Sequence, residues 1–193
     1  MRRSQCEVKE KDKVEDILGR CRIGRLATIG ADGYPYVTPL NYVYWNGAVY
    51  FHCARKGEKL DNIAADARVC FEVDIPLAYK GTDCDPDSPA CNVHQFYHSV
   101  IIRGRAEVID DASEKVAALN ALMAVHEGVA GFNRITAADP EVAACHVIAV
   151  RIERMTGKSD LAQKKNAAEK ERIRSYLEKR GLTGDLEAAG LIR

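Results

Sequence analysis

One short stretch of the sequence combines positive charge with a glycine at the start of a predicted helix. Arg55, Lys56, Gly57 and Lys59 follow an apolar segment and adjoin a helical pattern at 60–65. Cations beside the unpaired N–H groups of a helix start attract an anion, and a glycine lets the backbone approach it closely. The stretch is therefore a candidate anion-binding loop. A solvated basic turn is the alternative, and the loop alone favours that second interpretation.

A second group of reactive side chains lies in a proline-containing stretch. Cys84, Cys91, His94 and His98 lie close together in the sequence, and four such ligands can hold zinc. The group lacks a Cys-x2-Cys pair, and His98 falls in a predicted strand, so we expect no metal site. Cys84 and Cys91 can alternatively form a disulfide under oxidation.

The composition limits the classes of protein to which the chain can belong. Its 193 residues suit one domain, and 28 Lys and Arg balance 28 Asp and Glu, which argues against a broad basic surface for nucleic acid. No run of about 18 apolar residues exists, so we expect no membrane contact. The charged N-terminus lacks the apolar segment of a signal peptide, and the seven scattered cysteines are typical of reduced thiols. We expect a cytoplasmic protein.

Strand signals dominate the pattern of the chain. Asn46-Gly47 between two apolar runs predicts a β-hairpin, and long strands are predicted at 97–108 and 145–154. The pattern predicts short helices at 14–21, 60–65 and 111–127. Hairpin-linked strands with a few helices predict an antiparallel barrel of about six strands.

The chain divides into two predicted parts. Residues 1–158 form the barrel, with a loop insertion at 76–95 that contains three prolines. Residues 159–193 form a charged helical tail. Ile173 and Leu177 share one face of that tail, and we expect this face to pack on a partner subunit.

Several blocks of the sequence resemble a known family. The blocks are 24–28, 35–42, 50–54, 57–63 and 97–107. Together they resemble the pyridoxamine 5′-phosphate oxidase-like, FMN-binding split-barrel superfamily, and within it the nitroimidazole-reductase-related branch. An ordered set of blocks is far more specific than any one of them. The resemblance implies a fold that is mainly β with helical additions, namely an antiparallel split β-barrel.

The resemblance also implies a cofactor and an assembly. The protein would be a homodimer, with FMN in grooves between the two subunits. Lys59, together with Arg55 or Lys56 beside Gly57, would hold the FMN phosphate. This agrees with the need of a dianionic phosphate for cations and N–H donors.

The resemblance implies further cofactor contacts from the segment 38–41, from His52 and from Ser99. The segment implied to line the isoalloxazine ring is Thr38, Pro39, Leu40 and Asn41. His52 would lie near the flavin, and Ser99 would provide a polar contact. His52 is also the candidate catalytic residue, because a histidine there can donate a proton to a substrate that is being reduced. The alternative is a strand histidine that bonds a neighbour or the cofactor phosphate.

The sequence departs from the oxidases of this superfamily at two places. Glu58-Lys59 stands where an Arg-Lys pair commonly binds phosphate, so Arg55 or Lys56 must compensate for Glu58. The oxidases close with a C-terminal segment that bears tryptophan and arginine, whereas the one tryptophan here is Trp45. We therefore expect an FMN-dependent oxidoreductase that reduces a small electron-poor, nitroaromatic-like substrate. The alternative is a flavin- or haem-binding module without turnover, with His52 as a possible haem ligand.

Overall fold

A computed structural model of the protein describes residues 3–128 and 131–193. The strands are Glu7–Val8 (β1), Ile23–Ile29 (β2), Pro35–Asn41 (β3), Val43–Trp45 (β4), Ala48–Cys53 (β5), Arg68–Lys80 (β6), His94–Val108 (β7) and His146–Asp160 (β8). The helices are Lys11–Arg20 (α1), Glu58–Ala65 (α2), Ala112–Glu127 (α3), Pro140–Ala144 (α4), Ala167–Arg180 (α5) and Asp185–Leu191 (α6).

One sheet contains all eight strands, in the order β3-β2-β6-β7-β8-β5-β4, with β1 beside β8. The pairs β2–β3, β2–β6, β4–β5, β5–β8 and β1–β8 are antiparallel. The predicted fold class, an antiparallel split β-barrel with helical additions, is confirmed. Two strands exceed the predicted six. β1 has only two residues, and β4 separates from β3 at Tyr42, whose buried hydroxyl donates to the Leu18 carbonyl oxygen at 2.6 Å.

The hairpin predicted at Asn46-Gly47 joins β4 to β5. Trp45 pairs with Ala48 across the turn, and Asn46 and Gly47 have φ angles of 48° and 77°. Two successive positive φ angles define the type I′ turn that matches the twist of a two-residue hairpin. The hairpin prediction is confirmed.

The chain forms two compact units, each with its own core. The barrel unit comprises Leu18–Val73 and Ile101–Met155. The terminal unit comprises Met1–Ile17, Asp74–Val100 and Thr156–Arg193. In the barrel unit, α3 packs against β4 and β5, and the core includes Tyr50, Leu119 and Leu122. In the terminal unit the core includes Leu77, Phe96, Ile173, Leu177 and Ile192.

The predicted boundaries of the insertion and of the tail need correction. β6 continues through Pro76 to Lys80 and β7 begins at His94, so the irregular segment is 81–93 rather than 76–95. Pro76 is tolerated because β2 pairs only with Cys70–Glu72, so the missing N–H breaks no bond to β2. β8 continues to Asp160, past the predicted boundary at residue 158, because β1 pairs with Gly157 and Lys158.

The tail also packs differently from the prediction. Ile173 and Leu177 of α5 are buried in the core of the terminal unit, against Leu77 and Phe96 of the same chain. The prediction that this face packs on a partner subunit is therefore wrong. An amphipathic pattern shows that a face is covered, but it does not identify what covers it.

None of the helices in the described residues is long and apolar enough to cross a membrane. The cysteines are free thiols, Cys84 buried and Cys91 exposed, so the disulfide considered above is not formed. Within residues 3–128 and 131–193 no group of three or more His, Cys, Asp or Glu side chains is arranged to hold a metal ion. His94 bonds Asp160 instead, with 3.1 Å between Nε2 and Oδ1.

Candidate functional site

The predicted anion loop is the turn between β5 and α2, and we call residues 54–59 the basic turn. Arg55 and Lys56 are exposed, and Lys59 is half-buried in the first turn of α2. None of these three cations forms a hydrogen bond or ion pair with another residue in the described part of the chain. Arg68 and Arg151 of the same unit, by contrast, are paired with carboxylates. The basic turn therefore carries a net positive charge, because its three cations outnumber its one acidic residue, Glu58.

Gly57 gives the basic turn its shape. Its φ of 141° and ψ of 157° lie in a region that is essentially restricted to glycine. Its carbonyl oxygen accepts from the N–H of Leu60 at 2.8 Å and of Asp61 at 3.3 Å, which starts α2. Because glycine has no side chain to cap the helix, the first N–H groups of α2 stay available to a ligand. Gly57 thus provides an open helix start beside the three cations.

A buried hydrogen bond holds α2 on the sheet. Asn62 Nδ2 donates to Thr28 Oγ1 at 3.0 Å, and Thr28 Oγ1 donates to the Tyr36 carbonyl oxygen at 3.4 Å. The chain of bonds links α2 to β2 and β2 to β3. Asn62 and Thr28 were not predicted as site residues. The one signal in the sequence was the amide side chain of Asn62, which stands at a position of α2 that is typical of a buried residue.

The segment implied to line the ring lies on β3, at one end of the strand order. Thr38 and Leu40 are half-buried, whereas Pro39 and Asn41 are exposed, as strand alternation requires. The four side chains therefore do not share one face. Among the described residues, Thr38 Oγ1 is the buried side-chain polar atom without a hydrogen-bond partner. Such an orphaned hydroxyl is unfavourable unless a ligand bonds it.

His52 occupies the one exposed position of β5, opposite Val147 of β8. Its side chain forms no hydrogen bond to any other described residue, so the alternative in which the imidazole bonds a neighbour is not supported. β3 and β5 approach each other within 8 Å between Cα atoms. Burial raises the pKa of the adjacent Cys53 thiol, and the positive charge of Lys59 opposes this shift. The structure thus brings the strands of Thr38 and His52 close together, with the basic turn at the end of β5.

Two grooves open beside the basic turn. They enclose ≈ 320 and ≈ 420 Å³, and Arg55 and His146 line both. Lys115 lines the first and donates from Nζ to the Cys145 carbonyl oxygen at 2.7 Å. Volumes of this size accommodate ligands such as a cofactor ring. His146 and Lys115 were not predicted as site residues, because neither stands in a motif.

Ser99 belongs to the terminal unit rather than to the barrel unit that holds the other candidates. It lies on β7 between buried His98 and Val100 and is half-buried. Its predicted contact to a cofactor stays a prediction.

Comparison with known proteins assigns the chain to a family. Residues 10–159 match the sequence profile of the family described as pyridoxamine 5′-phosphate oxidase. The chain belongs to this family. No curated protein sequence matches the chain significantly.

Solved structures of similar fold agree with membership in the pyridoxamine 5′-phosphate oxidase family. A Bacteroides thetaiotaomicron protein provisionally assigned to 5-nitroimidazole antibiotic resistance is 25% identical, with a TM-score of 0.67 over 79% of this chain and 86% of that one. A FAD and heme binding protein from Mycobacterium smegmatis is 20% identical, with a TM-score of 0.69 over 88% and 79%. A flavocytochrome from Azotobacter vinelandii is 19% identical, with a TM-score of 0.70 over 88% and 76%. At these identities the last two show a shared fold. The predicted family is confirmed.

Proposed function

We propose that this member of the pyridoxamine 5′-phosphate oxidase family is an FMN-binding flavoprotein that reduces a small electron-poor substrate of the nitroaromatic type. The observation that carries the proposal is the basic turn, where three cations without ion pairs among the described residues adjoin the open start of α2. A single cluster of this kind suits one terminal phosphate, which favours FMN over a dinucleotide. The FAD-binding relative from M. smegmatis supports a flavin as the class of cofactor.

The residues present fit such a cofactor. Arg55, Lys56 and Lys59 can neutralise the phosphate, and the first N–H groups of α2 can donate to its oxygens. The unpartnered hydroxyl of Thr38 can bond the polar edge of the ring, and the unpaired edge of β3 offers backbone N–H and carbonyl groups. A bound FMN molecule would thus provide partners for these cations, N–H groups and the Thr38 hydroxyl of the barrel unit.

When bound, a flavin supplies hydride or single-electron transfer to a substrate at its ring. The part of this chain is to hold the cofactor, to orient the substrate and to supply protons. The His52 side chain has no hydrogen-bond partner among the described residues and is exposed, so it can carry a proton to a reduced substrate. The active protein would be cytoplasmic.

We also propose that the working unit is a homodimer with the cofactor between the subunits. The outer face of the β2–β3 pair exposes Ile23, Ile29 and Val37, at 56%, 39% and 55% of their surface. Arg25 and Glu72 on the same face are paired at 3.1 Å, so the patch carries no net charge. An apolar, neutral face of this kind suits contact with a second copy of the chain.

Titration with FMN tests the binding role of the basic turn. Lys59→Ala removes a charge-assisted contact, so we expect FMN affinity to fall by about 1.5–3 kcal/mol, roughly 10- to 150-fold. The control is Lys179→Ala, an exposed lysine of α5, which should bind FMN as the parent does. Flavin fluorescence and the melting temperature report binding. If neither responds to FMN in the parent protein, the proposal is wrong.

A second variant separates turnover from binding. His52→Ala should retain FMN affinity and lose most of the rate of substrate reduction if His52 transfers a proton. If the variant loses FMN instead, His52 is a binding residue. A Soret band in the absorption spectrum of the purified protein, in place of the flavin bands, would favour the haem-binding alternative.

A further inference from the structure

A separate cavity lies wholly within the terminal unit and contains no residue of the basic turn. It encloses ≈ 200 Å³, below the roughly 300–1,000 Å³ of common ligand pockets, so it suits a molecule with one ring or a short chain. Phe96, Ala162 and Ile173 line it with buried apolar surface. The lining also includes five charged side chains, so the cavity joins apolar surface to charged groups; these side chains are Arg3, Lys80, Asp160, Lys164 and Lys165.

Lys80, the last residue of β6, lines this cavity and exposes only 7% of its surface. Its side chain forms no hydrogen bond or ion pair with any residue in 3–128 or 131–193. Lysine is almost never buried without a partner, because an ammonium group loses much of its hydration there. Lys80 Nζ is nevertheless not among the fully enclosed unpartnered atoms of the described chain. Because Lys80 lines the cavity and its Nζ keeps accessible surface, an anion in the cavity can reach the ammonium group.

Asp160, the acidic residue of the cavity lining, already has other partners. Its Oδ2 accepts from Arg3 Nη1 at 3.1 Å and lies 3.6 Å from Lys158 Nζ. Its Oδ1 lies 3.1 Å from His94 Nε2. One carboxylate thus serves three basic groups, and Lys80 is left without a counter-charge.

A second ammonium group adds to the positive excess. Lys164 lines the cavity, is exposed and has no ion pair within the described residues. Its neighbour Lys165 is neutralised by Glu169 at 2.8 Å. The lining of the cavity therefore combines two cations that have no ion pair among the described residues with the buried ring of Phe96.

We propose that this cavity binds a small carboxylate with an apolar ring or short chain, whose carboxylate pairs with Lys80 and whose apolar part packs on Phe96. A bare inorganic anion would leave the apolar wall unfilled. A neutral ring would leave the ammonium group of Lys80 without a counter-charge. None of the residues that line this cavity is among those assigned to the proposed flavin site.

Calorimetric titration of the full-length protein with benzoate tests the proposal. At constant ionic strength, benzoate should bind at least tenfold more tightly than benzamide, its neutral analogue, and than inorganic phosphate. Lys80→Met keeps the apolar stem and removes the charge, so it should weaken benzoate binding at least tenfold. Lys179→Met, on an exposed helix face, is the matched control and should bind benzoate as the parent does.

The stability of the ligand-free variant gives a second readout. Because an unpaired buried charge disfavours folding, Lys80→Met should melt no lower than the parent protein. A marked fall in melting temperature would mean that Lys80 is structural and would overturn the proposal. So would the absence of benzoate binding up to about 10 mM, or equal binding of benzoate and benzamide. Lys59→Ala should keep benzoate binding and Lys80→Met should keep FMN binding, which separates this site from the flavin site.

Discussion

Thr28 and Thr38 of the barrel unit carry the same hydroxyl group in two different roles. The hydroxyl of Thr28 stabilises the fold, and that of Thr38 is available to a ligand. Thr28 is buried on β2, where its hydroxyl accepts from Asn62 and donates to the Tyr36 carbonyl oxygen. Thr38 lies on the neighbouring strand β3, and its buried hydroxyl has no partner among the described residues. Removing each hydroxyl while keeping the side-chain shape therefore separates structural from ligand-binding roles.

Substitution of both threonines by valine gives opposite expected results. Thr38→Val removes an unsatisfied polar group, so the ligand-free protein should gain about 1 kcal/mol of stability while FMN binds several-fold more weakly. Thr28→Val leaves the buried amide of Asn62 without its acceptor and should cost about 1–3 kcal/mol. Urea denaturation and FMN titration of both variants provide the measurements. A destabilised Thr38→Val protein with unchanged FMN affinity would contradict the role given to Thr38.

Parts of the candidate site could be predicted from single residues and parts could not. Arg55, Lys56 and Lys59 were recognisable because charge, a glycine and a helix start lie together in sequence. Thr38 entered only through the family resemblance, since its missing partner is a property of the folded chain. Asn62 and His146 were missed because each acquires its place from contacts with distant strands or loops. Functional groups that lie together in one short segment can be predicted from the sequence, whereas contacts between distant segments cannot.

At the scale of elements, caps and turns were predictable and strand lengths were not. An aspartate followed three residues later by a glutamate is a typical start of a helix, and Asp111 caps α3 by accepting from the Glu114 N–H at 2.7 Å through its Oδ1. The end of β8 was missed, because Ser159 and Asp160 have low strand propensity. The pairing of β1 with β8 keeps that segment extended. Propensity is overridden where a neighbouring strand supplies backbone bonds.

The junction of α5 and α6 depends on one largely buried ion pair. Arg180 donates from Nε and Nη2 to both carboxylate oxygens of Asp185, at 2.8 and 2.7 Å. Arg180 Nη1 also donates to the Tyr176 hydroxyl, which donates to Asp83. Asp185 is 1% exposed and accepts from the Leu182 N–H as well. The Arg180 guanidinium lowers the pKa of the Asp185 carboxyl below its usual value.

This lowered pKa predicts an acid-sensitive contribution to stability. The pair contributes fully above the unfolded pKa of Asp, about 3.9, and its contribution is lost as the pH falls through the lower folded value. Asp185→Asn should therefore cost about 2 kcal/mol at pH 7. The difference from the parent protein should shrink below about pH 4. Thermal unfolding across this pH range checks it, with the exposed Asp87→Asn as control. A difference that stays constant with pH would refute the role of this ion pair.

The formal net charge of the whole molecule is zero, and this affects how readily two copies of the chain associate. Identical neutral chains repel each other little, so apolar contact alone can bring two copies together. The exposed apolar face of the β2–β3 pair lies on the same hairpin that carries Thr38, although on the opposite side of the strand from it. That face also carries Pro39 and Asn41 of the segment implied to line the ring, so contact through it would bring a second chain next to this part of the proposed flavin site. Assembly and cofactor binding should consequently depend on each other.

Val37→Asp tests this dependence. It places a charge at the centre of the apolar face, opposite Ala27 of β2, and buried unpaired charge opposes association strongly. We expect the parent protein to sediment as a dimer and the variant as a monomer, with FMN affinity reduced at least tenfold. Leu186→Asp is the matched control, since Leu186 is 63% exposed on α6 of the terminal unit, and it should leave both properties unchanged. A monomeric parent protein would exclude the proposed dimer. A dimeric Val37→Asp protein with full FMN affinity would move the interface elsewhere.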